Sequence, residues 1–240
     1  MLRFMKKLRC LGSFAFLLSA ALVANAQQPA ASDVETLLGR AREEIRGFEK
    51  AGGRKDAPDH PVGKWVQTLW ALYDQSPRSP GAAKAASEAV HLLIHADRFQ
   101  EAYQRADRVP FDDPAWERLS EILMEAASLQ KDSTYFFHKL PSVLSSSTDA
   151  TIRAAIHWNL GRVWLSQHEE QKAKAAFEAA IESAADSAPG RQAEKQLHEL
   201  LHLGPGQPAP LFSATAMDRS RISLADYLGK PVVIVFWSST

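Results

Sequence analysis

Two pairs of histidines are the residues in this 240-residue chain whose type and spacing could do chemistry. His91 and His95 are four apart, as are His198 and His202. On a helix that spacing puts both imidazoles of a pair on one face, where they can share a metal ion. Between His91 and His95 no Glu stands in the intervening place a zinc hydrolase needs; Glu199 does stand there after His198, but no third ligand is evident for either pair, so both read as surface or partly buried structural histidines. The six tryptophans, Trp65, Trp70, Trp116, Trp158, Trp164 and Trp237, could line a ligand groove. Most lie on or beside apolar helical stripes, which favours packing. Arg40, Arg42, Glu43, Glu44 and Arg46 read as a solvated helix face with local ion pairs. No Gly-rich phosphate loop, Ser-His-Asp set or carboxylate pair stands out. The sequence therefore assigns no catalytic, cofactor-binding or metal-binding residue.

The N-terminus has the marks of an export signal. Arg3, Lys6, Lys7 and Arg9 precede a 13-residue apolar run from Leu11 to Val23, and Ala24-Asn25-Ala26 supplies small residues for cleavage. The run is short of the ~20 residues that span a bilayer, so residues 1–26 are expected to be a cleaved signal peptide rather than an anchor. The expected location is periplasmic or secreted, with membrane contact only through an uncleaved signal. Without its four cations the chain carries 24 basic against 28 acidic residues. A net charge of about −4 argues against nucleic acid or an anionic membrane surface as partner. The single cysteine, Cys10, lies before the apolar run, so residues 27–240 contain no thiol and no disulfide.

Residues 27–31 read as a tether, and 32–203 as helical. Ser32 and Glu35 have capping-box spacing, and Val34, Leu37, Leu38, Ala41, Ile45 and Phe48 recur at helical period. Gly52-Gly53 ends this helix. Val62, Trp65, Val66, Leu69, Leu72 and Tyr73 form a second stripe that Pro77 and Pro80 close. At 155–184, Ile156, Leu160, Val163 and Trp164 share one helix face, and Ala173, Phe177, Ala180, Ile181 and Ala184 share another. The small residues Gly161 and Ala173 let two antiparallel helices approach, with Phe177 filling the space beside them. Leu160, Gly161, Trp164, Ala173, Phe177 and Ala180 resemble a tetratricopeptide repeat, with His157 at the usual early Trp and Ala185 at the closing Pro. One repeat cannot bury its own apolar face, so neighbours are expected. Ala86, Val90, Leu93 and Ile94 with Phe99, Ala102, Tyr103 and Ala106 supply one. Trp116, Leu119, Ile122 and Leu123 with Tyr135, Phe136, Phe137 and Leu140 supply another. Pro189 to Leu203 reads as a capping helix with Leu197, Leu200 and Leu201 inward. The expected fold class is mostly α, a TPR-like array of helical hairpins in the manner of an α-solenoid.

The last stretch, 204–240, changes character. Gly204-Pro205-Gly206 opens a linker. Leu211 to Ala216 and Arg221 to Leu224 read as short extended segments, and Leu224 to Leu228 as one helical turn. Val232 to Trp237 is an unbroken β-branched and aromatic run, the composition of a strand buried on both faces. Such a strand needs neighbours on both edges and cover on both faces, so the chain is expected to be the front part of a longer protein. The order Gly206-Gln207-Pro208-Ala209-Pro210-Leu211-Phe212-Ser213, Ile222-Ser223-Leu224-Ala225-Asp226-Tyr227 and Gly229-Lys230-Pro231 to Phe236-Trp237 resembles the opening of thioredoxin-like domains of the TlpA/ResA class in the redoxin superfamily.

That resemblance implies an exported thiol–disulfide oxidoreductase whose Cys-x-x-Cys follows Ser238, Ser239 and Thr240. Phe236 and Trp237 are then expected to pack under the active-site loop, and Thr240 to precede the nucleophile. The partners implied are protein clients or redox partner proteins. In the family the first hairpin usually turns on Asp-Gly, whereas Asp218 is followed here by Arg219. Two alternatives stay open. One is a non-enzymatic secreted TPR scaffold. The other is a peroxiredoxin-type enzyme, ranked lower because Ser238 stands where that motif has Pro and Thr240 comes too early for it.

Overall fold

The computed structural model describes residues 31–204, 206–235 and 237. The expected signal segment and Cys10 lie outside them, as do Phe236, Ser238, Ser239 and Thr240. Among the described residues the chain is mostly helical, with one small two-stranded sheet. No helix among them is long and apolar enough to cross a membrane. The chain divides into two compact units, residues 1–115 and 116–240.

The first unit holds α1 (Ala31–Lys50), α2 (Val62–Gln75), α3 (Pro80–His95) and α4 (Phe99–Asp107). The α1 stripe is as its period requires, with Val34, Leu38 and Ala41 fully buried and Leu37, Ile45 and Phe48 half-buried. The helix begins at Ala31, one residue before the Ser32 that the sequence offers as its cap. At its other end Gly52 takes φ +87° and the Gly53 N–H reaches back to the Phe48 carbonyl at 3.0 Å, a Schellman close. On α2, Val62, Trp65, Val66, Leu69, Trp70 and Tyr73 are buried. Ser79 caps α3, its Oγ accepting from the Ala82 N–H at 3.2 Å, with Pro80 in the first turn. α3 is buried almost all round, and it can be because Ala82, Ala85, Ala86 and Ala89 leave room for α1, α2 and α4 against it. After α4, Asp113 is fully buried; its Oδ2 accepts from the Tyr73 hydroxyl at 2.8 Å and its Oδ1 from the Ala115 N–H at 2.9 Å.

The second unit holds α5 (Trp116–Gln130), α6 (Thr134–Ser146), α7 (Ala150–Ser166), α8 (Glu170–Ala184) and α9 (Ala188–His202). Phe177 is fully buried between Ala173, Ala180 and Ala193, with Trp158, Trp164 and Leu197 packed round it. A Cβ on Gly161 would lie 2.3 Å from the Phe177 ring, so the α7–α8 approach does depend on that glycine. Gly190 plays the same part at the α8–α9 corner, where a Cβ would meet the Ala184 carbonyl oxygen at 2.0 Å. Phe137 stacks on Trp164 with ring centroids 4.2 Å apart. In the interior, Asn159 donates to Ser120 Oγ at 2.9 Å and ties α7 to α5. α9 departs from expectation in one place. Leu197 packs inward and Leu200 is half-buried, but Leu201 is exposed, since it lies eight positions from buried Ala193 and has rotated off the inner face.

Three helix pairs, α3–α4, α5–α6 and α7–α8, turn in the same way. Asp97, Lys131 and His168 each take the left-handed conformation, with φ 58°, 54° and 61°. The next N–H then reaches back five residues, Arg98 to Leu93 at 2.9 Å, Asp132 to Ala127 at 3.0 Å and Glu169 to Trp164 at 2.9 Å. The three turn residues are 34 and 37 positions apart.

His157 on α7 is half-buried, and burial, then Arg153, holds its pKa below the ordinary histidine value of 6.5, with Glu182 opposing. The unfolded chain therefore takes up this proton first as pH falls. Stability is expected to decline below about pH 6.5 and to level off once the folded state also protonates. His157→Gln should flatten that part of the profile, checked by denaturant midpoints between pH 7.5 and 5. Identical slopes in variant and wild type would contradict it.

Candidate functional site

Two regions of the chain are arranged for more than packing. The first is the segment after α9. Residues Ser213–Thr215 (β1) and Arg221–Ser223 (β2) pair antiparallel in the register Ser213 with Ser223, Ala214 with Ile222 and Thr215 with Arg221. The turn between them is a type I turn, with the Arg219 N–H donating to the Ala216 carbonyl at 2.9 Å. Arg219 follows it in the left-handed conformation, φ 68°. This is the place where a glycine is usual, and the side chain there forgoes that freedom. Asp218 fixes the turn by accepting from the Ser220 N–H at 2.9 Å and from its hydroxyl at 2.6 Å, and these bonds hold its carboxyl below the usual range.

A single 3-10 turn, Leu224–Tyr227, follows, with Ser223 Oγ accepting from the Ala225 N–H at 3.3 Å. Gly229 then takes φ +80°. Beyond it the expected strand differs from what is found. Val232 to Val235 and Trp237 belong to no ladder and no helix, because no described strand lies alongside to pair with them. Val233 is 87% exposed and Trp237 85%. Residues this apolar, consecutive and uncovered form a surface that water penalises.

The second region is a cavity of about 400 Å³ in the first unit, between α1, α3 and the loop after α1. α3 brings His91 and His95 onto one face, their Nε2 atoms 2.9 Å apart. One turn earlier on the same face stands Glu88. Its Oε2 lies 3.6 Å from His91 Nδ1 and 3.6 Å from the Arg42 guanidinium. Lys55 fixes the end of α3, donating to the His95 carbonyl at 2.8 Å, and lies 3.3 Å from Asp97. His60, fully enclosed against Phe48, accepts the Val62 N–H on Nδ1 at 3.2 Å. Its Nε2 is buried without a hydrogen-bond partner among the described residues, 3.9 Å from a Glu49 oxygen. Among the described residues the cavity's lining is rich in ionisable side chains, Arg42, Arg46, Lys55, Glu88, His91 and His95 among them.

Other residues singled out from the sequence fall as packing or surface. Trp65 donates to Glu44 at 2.9 Å, Trp70 lies under Arg105 and Arg108, and Trp116 is fully buried. Trp158 and Trp164 pack against the cluster around Phe177, Trp158 in ring contact with it. His198 and His202 sit exposed on α9 with ring centroids 4.8 Å apart. On α1, Arg40, Arg42, Glu43, Glu44 and Arg46 are all exposed. The ion pairs of Glu44 and Arg42 run to Lys64 of α2 and Glu88 of α3 rather than along their own helix. Sequence reasoning passed over Glu88 and His60. The signal for Glu88 was its position three residues before His91, which puts both on one helix face.

No family model matches the chain, and no curated protein or solved structure matches it either.

Proposed function

We propose that this protein is an exported thiol–disulfide oxidoreductase in which a TPR-like helical region carries the start of a thioredoxin-like domain. The reading rests on the uncovered apolar segment Val232 to Val235 and Trp237, which follows a hairpin, a single helical turn and a left-handed glycine in the order that the TlpA/ResA resemblance implies. Such a segment is stabilised once it becomes a central strand with helices over both faces. In that setting the first cysteine of a Cys-x-x-Cys after Thr240 sits at a helix N-terminus, where the macrodipole favours its thiolate. The thiolate attacks one sulfur of a client disulfide, forming a mixed disulfide and releasing the other client sulfur as a thiolate. The second cysteine then attacks the mixed disulfide, leaving the enzyme oxidised and the client reduced.

The TPR-like assignment is supported by the left-handed turns at Asp97, Lys131 and His168, whose spacing of 34 and 37 residues is close to the ~34-residue TPR period. Arrays of this kind present side chains from successive helices to a partner protein, so the helical region is assigned the client or a docking partner. The same observation favours a second reading, a secreted TPR scaffold with no redox chemistry.

Reduction of insulin disulfides by the product of the whole reading frame separates the two. The oxidoreductase reading expects turbidity from precipitating insulin chains, abolished when the first cysteine of the pair is replaced by Ser. A reading frame with no Cys-x-x-Cys after Thr240, or a product inert toward insulin, contradicts it and leaves the scaffold.

A further inference from the structure

We propose that His91 and His95 are protein ligands of a divalent transition-metal site of the Cu(II) and Ni(II) class, opening on the cavity of the first unit. Their Nε2 atoms are 2.9 Å apart. With metal–nitrogen bonds of about 2.0–2.1 Å, that separation subtends about 90° at a shared ion. An angle of about 90° suits neighbouring positions of a square-planar or octahedral ion. A tetrahedral ion such as Zn(II) needs about 3.3 Å between the two nitrogens and hence a spread of the rings. Imidazole nitrogens in tetragonal geometry select Cu(II) and Ni(II), and Cu(II) binds such donors most tightly.

Glu88 makes the pair more than a chance contact. Its carboxylate, only 12% exposed, faces His91 Nδ1 at 3.6 Å, with the Arg42 guanidinium 3.6 Å from the same oxygen. A carboxylate there keeps the proton on Nδ1 and leaves the Nε2 lone pair directed at His95. This is the arrangement in which metal-bound histidines are held. Without metal, His95 Nε2–H donates to that lone pair. With metal, the His95 proton moves to Nδ1 and both Nε2 atoms bind. His91 is 17% exposed and His95 exposed, so an ion reaches them from solvent. A position that opens on the cavity can take water or a small anion, which Arg42 and Arg46 in the cavity wall would neutralise. This inference is independent of the redox reading, since it uses only residues of the first unit.

The test is Cu(II) titration at pH 7.5 of a His198→Gln/His202→Gln background, which removes the other close pair. Calorimetry against a competing chelator and electron paramagnetic resonance are the readouts. One bound Cu(II) with a tetragonal spectrum coupled to two imidazole nitrogens is expected, and Zn(II) at least ~100-fold weaker. His91→Gln and His95→Gln should each weaken Cu(II) by ~100-fold or more. Glu88→Gln should weaken it by about 10–100-fold with the spectrum kept. Added Ni(II) should raise the melting temperature of the background and not of the His91→Gln/His95→Gln variant, which separates lost binding from lost folding. No Cu(II) binding, unchanged affinity in that double variant, or a spectrum lacking imidazole coupling would overturn the proposal.

Discussion

Phe177→Ala should lower the unfolding free energy of the second unit by about 3–5 kcal/mol, read as a fall in the denaturant midpoint. The ring is fully buried, packs tilted against Trp158 at 5.4 Å, and fills the space that Gly161 leaves on α7. Its loss leaves a void beside Ala173, Ala180 and Ala193, side chains too short to reach in and fill it. A double-mutant cycle sharpens the expectation. Gly161→Ala in the wild type drives a methyl to within 2.3 Å of the ring and should cost about 1–3 kcal/mol. In the Phe177→Ala background the same methyl enters the void, and its cost should largely vanish. Additive effects would contradict the packing described.

Asp113→Ala should destabilise the first unit by about 2–3 kcal/mol. The carboxylate is fully buried and holds two parts of the unit together, the Tyr73 hydroxyl of α2 and the Ala115 N–H of the closing loop. Burial, then the hydrogen bond to Asp113, raises the Tyr73 pKa, so the phenol stays protonated and donates throughout the physiological range. Removing the acceptor leaves that buried hydroxyl and the backbone N–H without partners. Asp113→Asn keeps an oxygen for one donor and should cost less. Chemical denaturation of both variants decides the matter, and equal stability of Asp113→Ala and wild type would contradict it.

The helices were legible because their signal is periodic. Val34, Leu38 and Ala41, or Trp116, Leu119, Ile122 and Leu123, are buried by the same 3.6-residue repeat that marks them in the sequence. The closeness of α7 and α8 was legible from two small residues and one ring. What escaped was conformation without composition. Asp97, Lys131 and His168 turn helices in the left-handed region that a reader associates with glycine, so their common spacing does not announce itself. Arg219 hides the hairpin turn in the same way. Glu88 escaped because a carboxylate at a helix position reads as surface until the chain's packing buries it. Leu201 failed in the other direction, an apolar residue that packing left outside.

If the chain is the oxidoreductase proposed above, the apolar run from Val232 lies in the middle of a sheet. Hydrogen exchange at the amides of Val232 to Val235 measures this most directly, compared between the present chain and the product of the whole reading frame. Exchange within seconds is expected in the former and protection approaching that of global unfolding in the latter. Rapid exchange in both would mean that no sheet ever forms around it.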